Sequence, residues 1–295
     1  MRVTFRAIDE SLDAINIAAQ QFARAQEQVA TGRRLRSASD DPVAAQRAID
    51  GRTEMGTLDA YTRSADTARA RLSVLDGVLT ALVDTLSEAQ ATAATARGNT
   101  ADQATREALV LKLQGQRDRT ASFLNSTFRG TYLFSGSAAL TPPYVFAAGV
   151  WTYQGNSAPV TVDIGRSRSA TIAMDGRAIA QGADATDVLS AFDVMIAAAQ
   201  VSDEPGMETG MAALARTFDR TLRAQSQVGA DQYGIDEGQE TIVRFRLAAE
   251  RRVSQDQDAD MAKAISQMTQ ARTAYEAALG AVGNSSRTSL LDYLR

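Results

Sequence analysis

Three acids alternate at Asp256, Asp258 and Asp260, the spacing at which a calcium loop offers its first ligands. Such a loop also needs glycine at its sixth position and glutamate at its twelfth, and Met261 and Gln267 stand there. The three acids therefore read as helix-favouring residues ahead of the next helix. Asp40 and Asp41 form an adjacent carboxylate pair that could share a proton. Lying before Pro42, they read instead as caps: an Asp N-cap with proline at the first helical position. Arg33, Arg34 and Arg36 form a small basic cluster, suited either to a solvated face or to acidic groups on a neighbouring molecule.

Beyond these groups the chain is poor in reactive chemistry. It has no cysteine and no histidine, so thiol chemistry, disulfides and Cys- or His-based metal sites are excluded, and the commonest general base is missing. No glycine-rich phosphate loop, nucleophile elbow or zinc spacing occurs. No catalytic, metal-binding or cofactor-binding residue is assigned. Catalysis by carboxylates alone stays possible on chemistry, but the acids are scattered and no pair stands out. The net charge of -4 gives no electrostatic ground for nucleic acid. No apolar run approaches the roughly 20 residues of a membrane span, and no secretory leader is seen. These signals predict a cytoplasmic protein, or one exported by a route that reads something else.

The elements that hold these residues are mostly helical. Of the 295 residues 44% are apolar but only 6% aromatic, so alanine must do much of the packing. Phe5, Ile8, Leu12, Ile15, Ala19, Phe22 and Val29 fall on one heptad row, broken only at Gln26. Met261, Ala264, Met268, Ala271, Tyr275, Ala278 and Val282 repeat the pattern at the other end. Such helices can pair with each other or with copies of themselves. Ile8, Leu12, Ile15, Phe22, Val29, Ile265, Met268, Tyr275, Leu279, Val282, Leu290 and Leu291 are the candidate subunit-interface residues.

Between the ends, a long helix is expected from Asp41–Pro42 to about Arg97, with Leu72, Leu75, Leu79, Leu82 and Leu86 as its core row. Gly98 and Asn99 break it, and Thr100 with Gln103 makes a capping box for a further helix to about Thr127. From Gly130 the chain turns to short β-branched and aromatic runs punctuated by Pro142, Pro143, Gly149, Gly155, Pro159 and Gly165, which predict small strands and hairpins. Helix returns near Asp184. A second long helix follows the turn at Asp203–Gly206, with irregularity expected at Gly229, Gly234 and Gly238. The predicted fold is mainly α with a small β insertion: a long antiparallel helical bundle or coiled coil from both chain ends and a β-rich outer domain in the middle. The predicted division is 1–40, a terminal coiled-coil segment; 41–131, the first half of a helical rod; 132–180, the β-rich domain; 181–254, the second half; and 255–295, the other terminal segment.

Three motifs in this order resemble the flagellin superfamily, and within it the hook–filament junction branch. The first is Val29-Ala-Thr-Gly32-Arg33-Arg34-Leu35 followed by Ser39-Asp40-Asp41-Pro42. The second runs from Asn125 through Gly130, Tyr132 and Phe134 to Gly136. The third is Asp260-Met-Ala-Lys-Ala-Ile265, then Tyr275 to Leu279, ending in Ser289-Leu290-Leu291-Asp-Tyr-Leu294. Ala38 and Ser64 depart from the usual residues, proline and asparagine. The resemblance implies a structural, non-enzymatic protein without cofactors. It implies export through the flagellar type III channel without a cleaved signal, after a cytoplasmic export chaperone has held the C-terminal region. It also implies an extracellular place at the hook–filament junction, in contact with the first hook-associated protein, flagellin and copies of itself in a helical ring, with no nucleic acid and no membrane. A flagellin that forms the filament itself is the alternative.

Overall fold

The computed structural model describes residues 2–97 and 103–293, with side chains described over 12–97 and 103–283. The chain divides into two compact units, residues 1–57 with 245–295 and residues 58–244.

The elements described in the first unit are all helices. Helix α1 runs Arg2–Thr31, α2 Pro42–Arg97, α6 Glu204–Gln257 and α7 Met261–Tyr293. The start of α2 and the end of α6 belong to this unit and their remainder to the other. Gly32 ends α1 in the left-handed region (φ +66°), its N–H reaching the carbonyl of Gln28 at 2.9 Å. Asp41 starts α2, its Oδ1 accepting from the N–H of Ala44 at 3.0 Å, with Pro42 in the first turn. Helices α1 and α7 pack on each other. The buried apolar residues described in this unit are Ala18, Ala25, Leu35, Ala44, Ala48, Ala249 and Ala264. Among the described residues of this unit, full burial is confined to alanine methyl groups and one leucine, and the larger apolar side chains are at most half-buried.

The second unit holds the large core. Leu72, Leu75, Leu79, Leu82 and Leu86 are fully buried, as the leucine row of α2 predicts. They share a cluster with Leu113 and Leu124 of α3 (Gln103–Leu124), with Leu189, Phe192 and Met195 of α5 (Val188–Val201), and with Leu214, Val228 and Ile235 of α6. The expected break at Gly98–Asn99 and the cap at Thr100 lie outside the described residues. Helix α6 runs unbroken through Gly229, Gly234 and Gly238, contrary to expectation. Val228, Ile235 and Ile242 sit at heptad spacing and are buried, so packing outweighs the ~1 kcal/mol per glycine that propensity costs.

Three separate antiparallel hairpins make the β portion: β1 (Thr127–Phe128) with β2 (Thr131–Tyr132), β3 (Tyr144–Ala147) with β4 (Val150–Tyr153), and β5 (Thr161–Gly165) with β6 (Arg168–Thr171). The first strand arrives soon after α3 ends, earlier than expected, because Arg129 (φ +50°) and Gly130 (φ +81°) form a two-residue turn with both φ positive. Helix does not return at Asp184. A short helix, α4 (Gly176–Ala180), comes first, and Asp187 caps α5 through the N–H of Ser190 at 2.8 Å. Asp184 cannot serve as that cap, since its two oxygens are held at 2.8 Å by Arg216 and Arg220. Expectation and structure agree on the fold class: mainly helical, long helices from both ends, a small central part of short antiparallel strands.

Candidate assembly surface

The first motif is an internal fastening. The two links between helices lie side by side. The carbonyl of Gly32 accepts from the N–H of Ala259 and the N–H of Arg34 donates to the carbonyl of Gln257, both at 2.8 Å, with Arg33 opposite Asp258. Arg34 reaches the carbonyl of Asp256 at 2.7 Å and the carboxylate of Asp41 at 3.4 Å. Arg36 pairs with Glu27 at 2.9 Å, and Arg47 with Asp256 at 2.9 Å. Arg34 and Arg36 thus find acids in their own chain.

Each acid singled out above has a local duty. Asp40 accepts from the N–H groups of Ser37 (3.0 Å) and Arg36 (3.2 Å), bonds that hold its pKa below the usual carboxylate value. The Ala44 N–H does the same for Asp41. Asp260 caps α7 through the N–H of Ala262 at 3.0 Å and of Lys263 at 3.2 Å, and Asp258 accepts from Ser254 Oγ at 2.6 Å. Among the described residues no cluster of three acids converges as a metal cage would.

The second motif also builds structure. Asn125 acts as a one-residue strand: its Nδ2 donates to the carbonyl of Tyr144 at 2.8 Å and its Oδ1 accepts from the N–H of Tyr144 at 2.9 Å. Tyr132 is half-buried and Phe134 fully buried. Gly136 has φ +61°, and a Cβ there would lie 2.1 Å from the carbonyl oxygen of Asn156, so glycine is required. One residue that sequence reasoning missed completes this fastening. Arg71 of α2 is buried, with no carboxylate paired to it among the described residues. Its guanidinium donates to the carbonyl of Ile172 (2.5 Å), to Thr131 Oγ1 (2.7 Å) and to the carbonyl of Tyr132 (2.8 Å). Burial lowers its pKa. Nothing in a helical arginine's spacing announces such a role.

The terminal helices carry the rest of the candidate residues. Ile15, Phe22 and Val29 are half-buried on α1, and Met268, Tyr275 and Val282 on α7. The rings of Phe22 and Tyr275 stack with centroids 6.3 Å apart and planes 5° apart. The α7 row is the one read from sequence, except that Met261 is exposed. The α1 row is turned. Ala18 and Ala25 are buried while Leu12 and Gln26 are exposed, so the seam runs 15, 18, 22, 25, 29. The signal was Gln26, whose polarity marks a position off the seam. Leu12 (49% exposed), Ile265 (48%) and Leu279 (45%) therefore stand outside the intramolecular pair. Ile17 and Met261 are exposed too. Met261, Ile265 and Leu279 form one row along α7, set by a step of four and two heptads. Ile8, Leu290 and Leu291 lie on α1 and α7, with side chains outside the described residues.

With this geometry in hand, residues 8–139 match the family described as the bacterial flagellin N-terminal helical region. The chain is 30% identical over 207 residues to flagellar hook-associated protein 3 of Escherichia coli K12, and 27% identical over 181 residues to that of Salmonella typhimurium. Residues 8–139 thus resemble a flagellin N-terminal region, and the chain is similar to flagellar hook-associated protein 3. The matches span 65% and 56% of those relatives, less than two thirds of their length, and 65% and 61% of this chain. Solved structures agree in fold. A putative flagellar hook-associated protein from Vibrio parahaemolyticus superposes with a TM-score of 0.71 at 19% identity, covering 74% of this chain and 100% of that one. The flagellar junction protein of Legionella pneumophila gives 0.60 at 12% identity, covering 72% and 100%.

Proposed function

We propose that this chain is the hook-associated subunit that joins the flagellar hook to its filament. In this reading it is exported by the flagellar type III system, held beforehand by a cytoplasmic chaperone, and sits outside the cell between the first hook-associated protein and flagellin, beside copies of itself. Segments 1–40 and 255–295 carry assembly, 41–131 and 181–254 are the helical halves, and 132–180 is the outward module.

The observation that carries this reading is the contrast between the two units. Among its described residues, the unit built from the chain ends fully buries only alanines and one leucine and leaves Leu12, Met261, Ile265 and Leu279 in solvent. A helix pair with so small an interior is marginal alone. Covering that row by neighbouring subunits supplies the missing burial, about 1.5–3 kcal/mol for each large side chain fully removed from water. Ordering of the ends is thereby coupled to assembly. The test is immunogold labelling of intact flagella with an antibody to residues 132–180. Label confined to a short zone between hook and filament is the expected result. Label along the whole filament overturns it in favour of a filament flagellin, and label on the cell body alone overturns both.

A further inference from the structure

Between Arg129 and Asp163 the chain has no charged residue, although 22% of the whole sequence is charged. The β3–β4 hairpin lies inside this stretch as an isolated two-stranded sheet. Its short turn has both residues at positive φ, Ala148 (+53°) and Gly149 (+82°), which fixes the hairpin's shape. One face bears two aromatic rungs, Tyr144 with Tyr153 (centroids 5.3 Å apart) and Phe146 with Trp151 (5.1 Å). The inner rung is packed inward, but Phe146 is 54% exposed. On the opposite face Val150 is 55% exposed.

Each edge of this hairpin also carries an unpaired residue. Gln154 donates its N–H to the carbonyl of Pro143 at 2.8 Å, which fixes the alternation of bonds along the ladder. Tyr144 and Phe146 therefore point their N–H and C=O away from β4. Asn125 takes those of Tyr144. Those of Phe146, and those of Trp151 on the outer edge of β4, have no partner among the described residues. Edges of this kind are usually guarded by charge, proline or a bulge. Here no charge guards the tip, and the prolines stand outside both strands.

We infer that the β3–β4 hairpin is a contact between copies of this chain, joined head to tail, with the Phe146 edge of one copy against the Trp151 edge of the next. Charge selects the occupant. A charged surface brought here would lose its water and find no counter-charge. The fitting partner is an uncharged strand edge, and the chain's own hairpin is one. The two edges are different, so the pairing is heterologous and propagates around a ring or helix rather than closing a two-fold dimer. Phe146 then faces Trp151 of the next copy, and Val145 faces Thr152. The inference rests on the self-assembly reading above.

The chain has no native cysteine, so disulfide trapping reads the contact directly. Full-length V145C and T152C proteins, each checked for unchanged helical circular dichroism and Trp151 emission, are mixed under conditions where sedimentation velocity shows the wild type associating, and are then oxidised. A non-reducing gel band at twice the monomer mass from the mixture, absent from either variant alone, is expected. Loss of association in Phe146→Asp is expected with it. Association without a mixed disulfide overturns the hairpin contact and leaves assembly through the helical ends standing. A disulfide from V145C alone, as strong as from the mixture, overturns the head-to-tail pairing. A wild type that never associates removes the self-assembly reading and this inference with it.

Discussion

Replacing Arg71 by methionine keeps most of the apolar stem and removes the guanidinium. The carbonyls of Ile172 and Tyr132 then lose their donor, and Thr131 Oγ1 keeps only the bond it donates to the carbonyl of Phe128 at 2.8 Å. Each half-buried acceptor left unpaired costs about 1–3 kcal/mol. Two such groups give a destabilisation of roughly 2–6 kcal/mol for the 58–244 unit, toward the low end where water reaches a carbonyl. Trp151 is the sole tryptophan and lies on β4, so its emission follows the β portion while far-ultraviolet dichroism follows the helices. Urea titration with both probes is the assay. The Trp151 midpoint should fall further than the helical one, because Arg71 ties strand-region carbonyls to α2. A midpoint shift worth less than about 0.5 kcal/mol, within the range of ordinary surface changes, would refute the idea that Arg71 fastens the β portion.

Leu279→Asp should abolish recovery of the protein in sheared flagella while leaving the urea midpoint of Trp151 unchanged, since Leu279 lies outside the 58–244 unit; restored motility in a deletion strain would sink the exposed-row account. Gly136→Ala should destabilise by at least ~2 kcal/mol, because the residue needs positive φ and its Cβ meets the carbonyl of Asn156; an unchanged thermal midpoint would contradict that. Burial pushes the Asp184 carboxyl up, but its bonds from Arg220 and Arg216 more than offset this, so its folded pKa lies below the unfolded value. Its contribution is therefore present at neutral pH and lost as pH falls through and below the ordinary carboxylate range. In Asp184→Asn the acid side of a stability-versus-pH curve should be shallower than in the wild type, and a curve of the same slope would rule the group out.

The helical framework was legible where pattern and capping agreed. Asp41–Pro42 and the leucine row of α2 gave that helix its start and its buried face, because both signals are local. The heptad row of α7 was readable for the same reason. The α1 seam was misplaced by one step, since alanines at 18 and 25 carry little hydropathy signal although they pack closest. The glycines of α6 misled because buried Val228, Ile235 and Ile242 act at a distance that propensity does not see. Arg71 and the Asp184 ion pairs were invisible for a like reason. Their partners are carbonyls and guanidiniums distant in sequence, brought close only by the fold.

The central claim is a junction role, and removing the gene tests it most directly. Electron microscopy of the deletion strain, with flagellin assayed in the culture supernatant, should show bare hooks and shed, unpolymerised flagellin. Hooks bearing normal filaments on motile cells would contradict the claim.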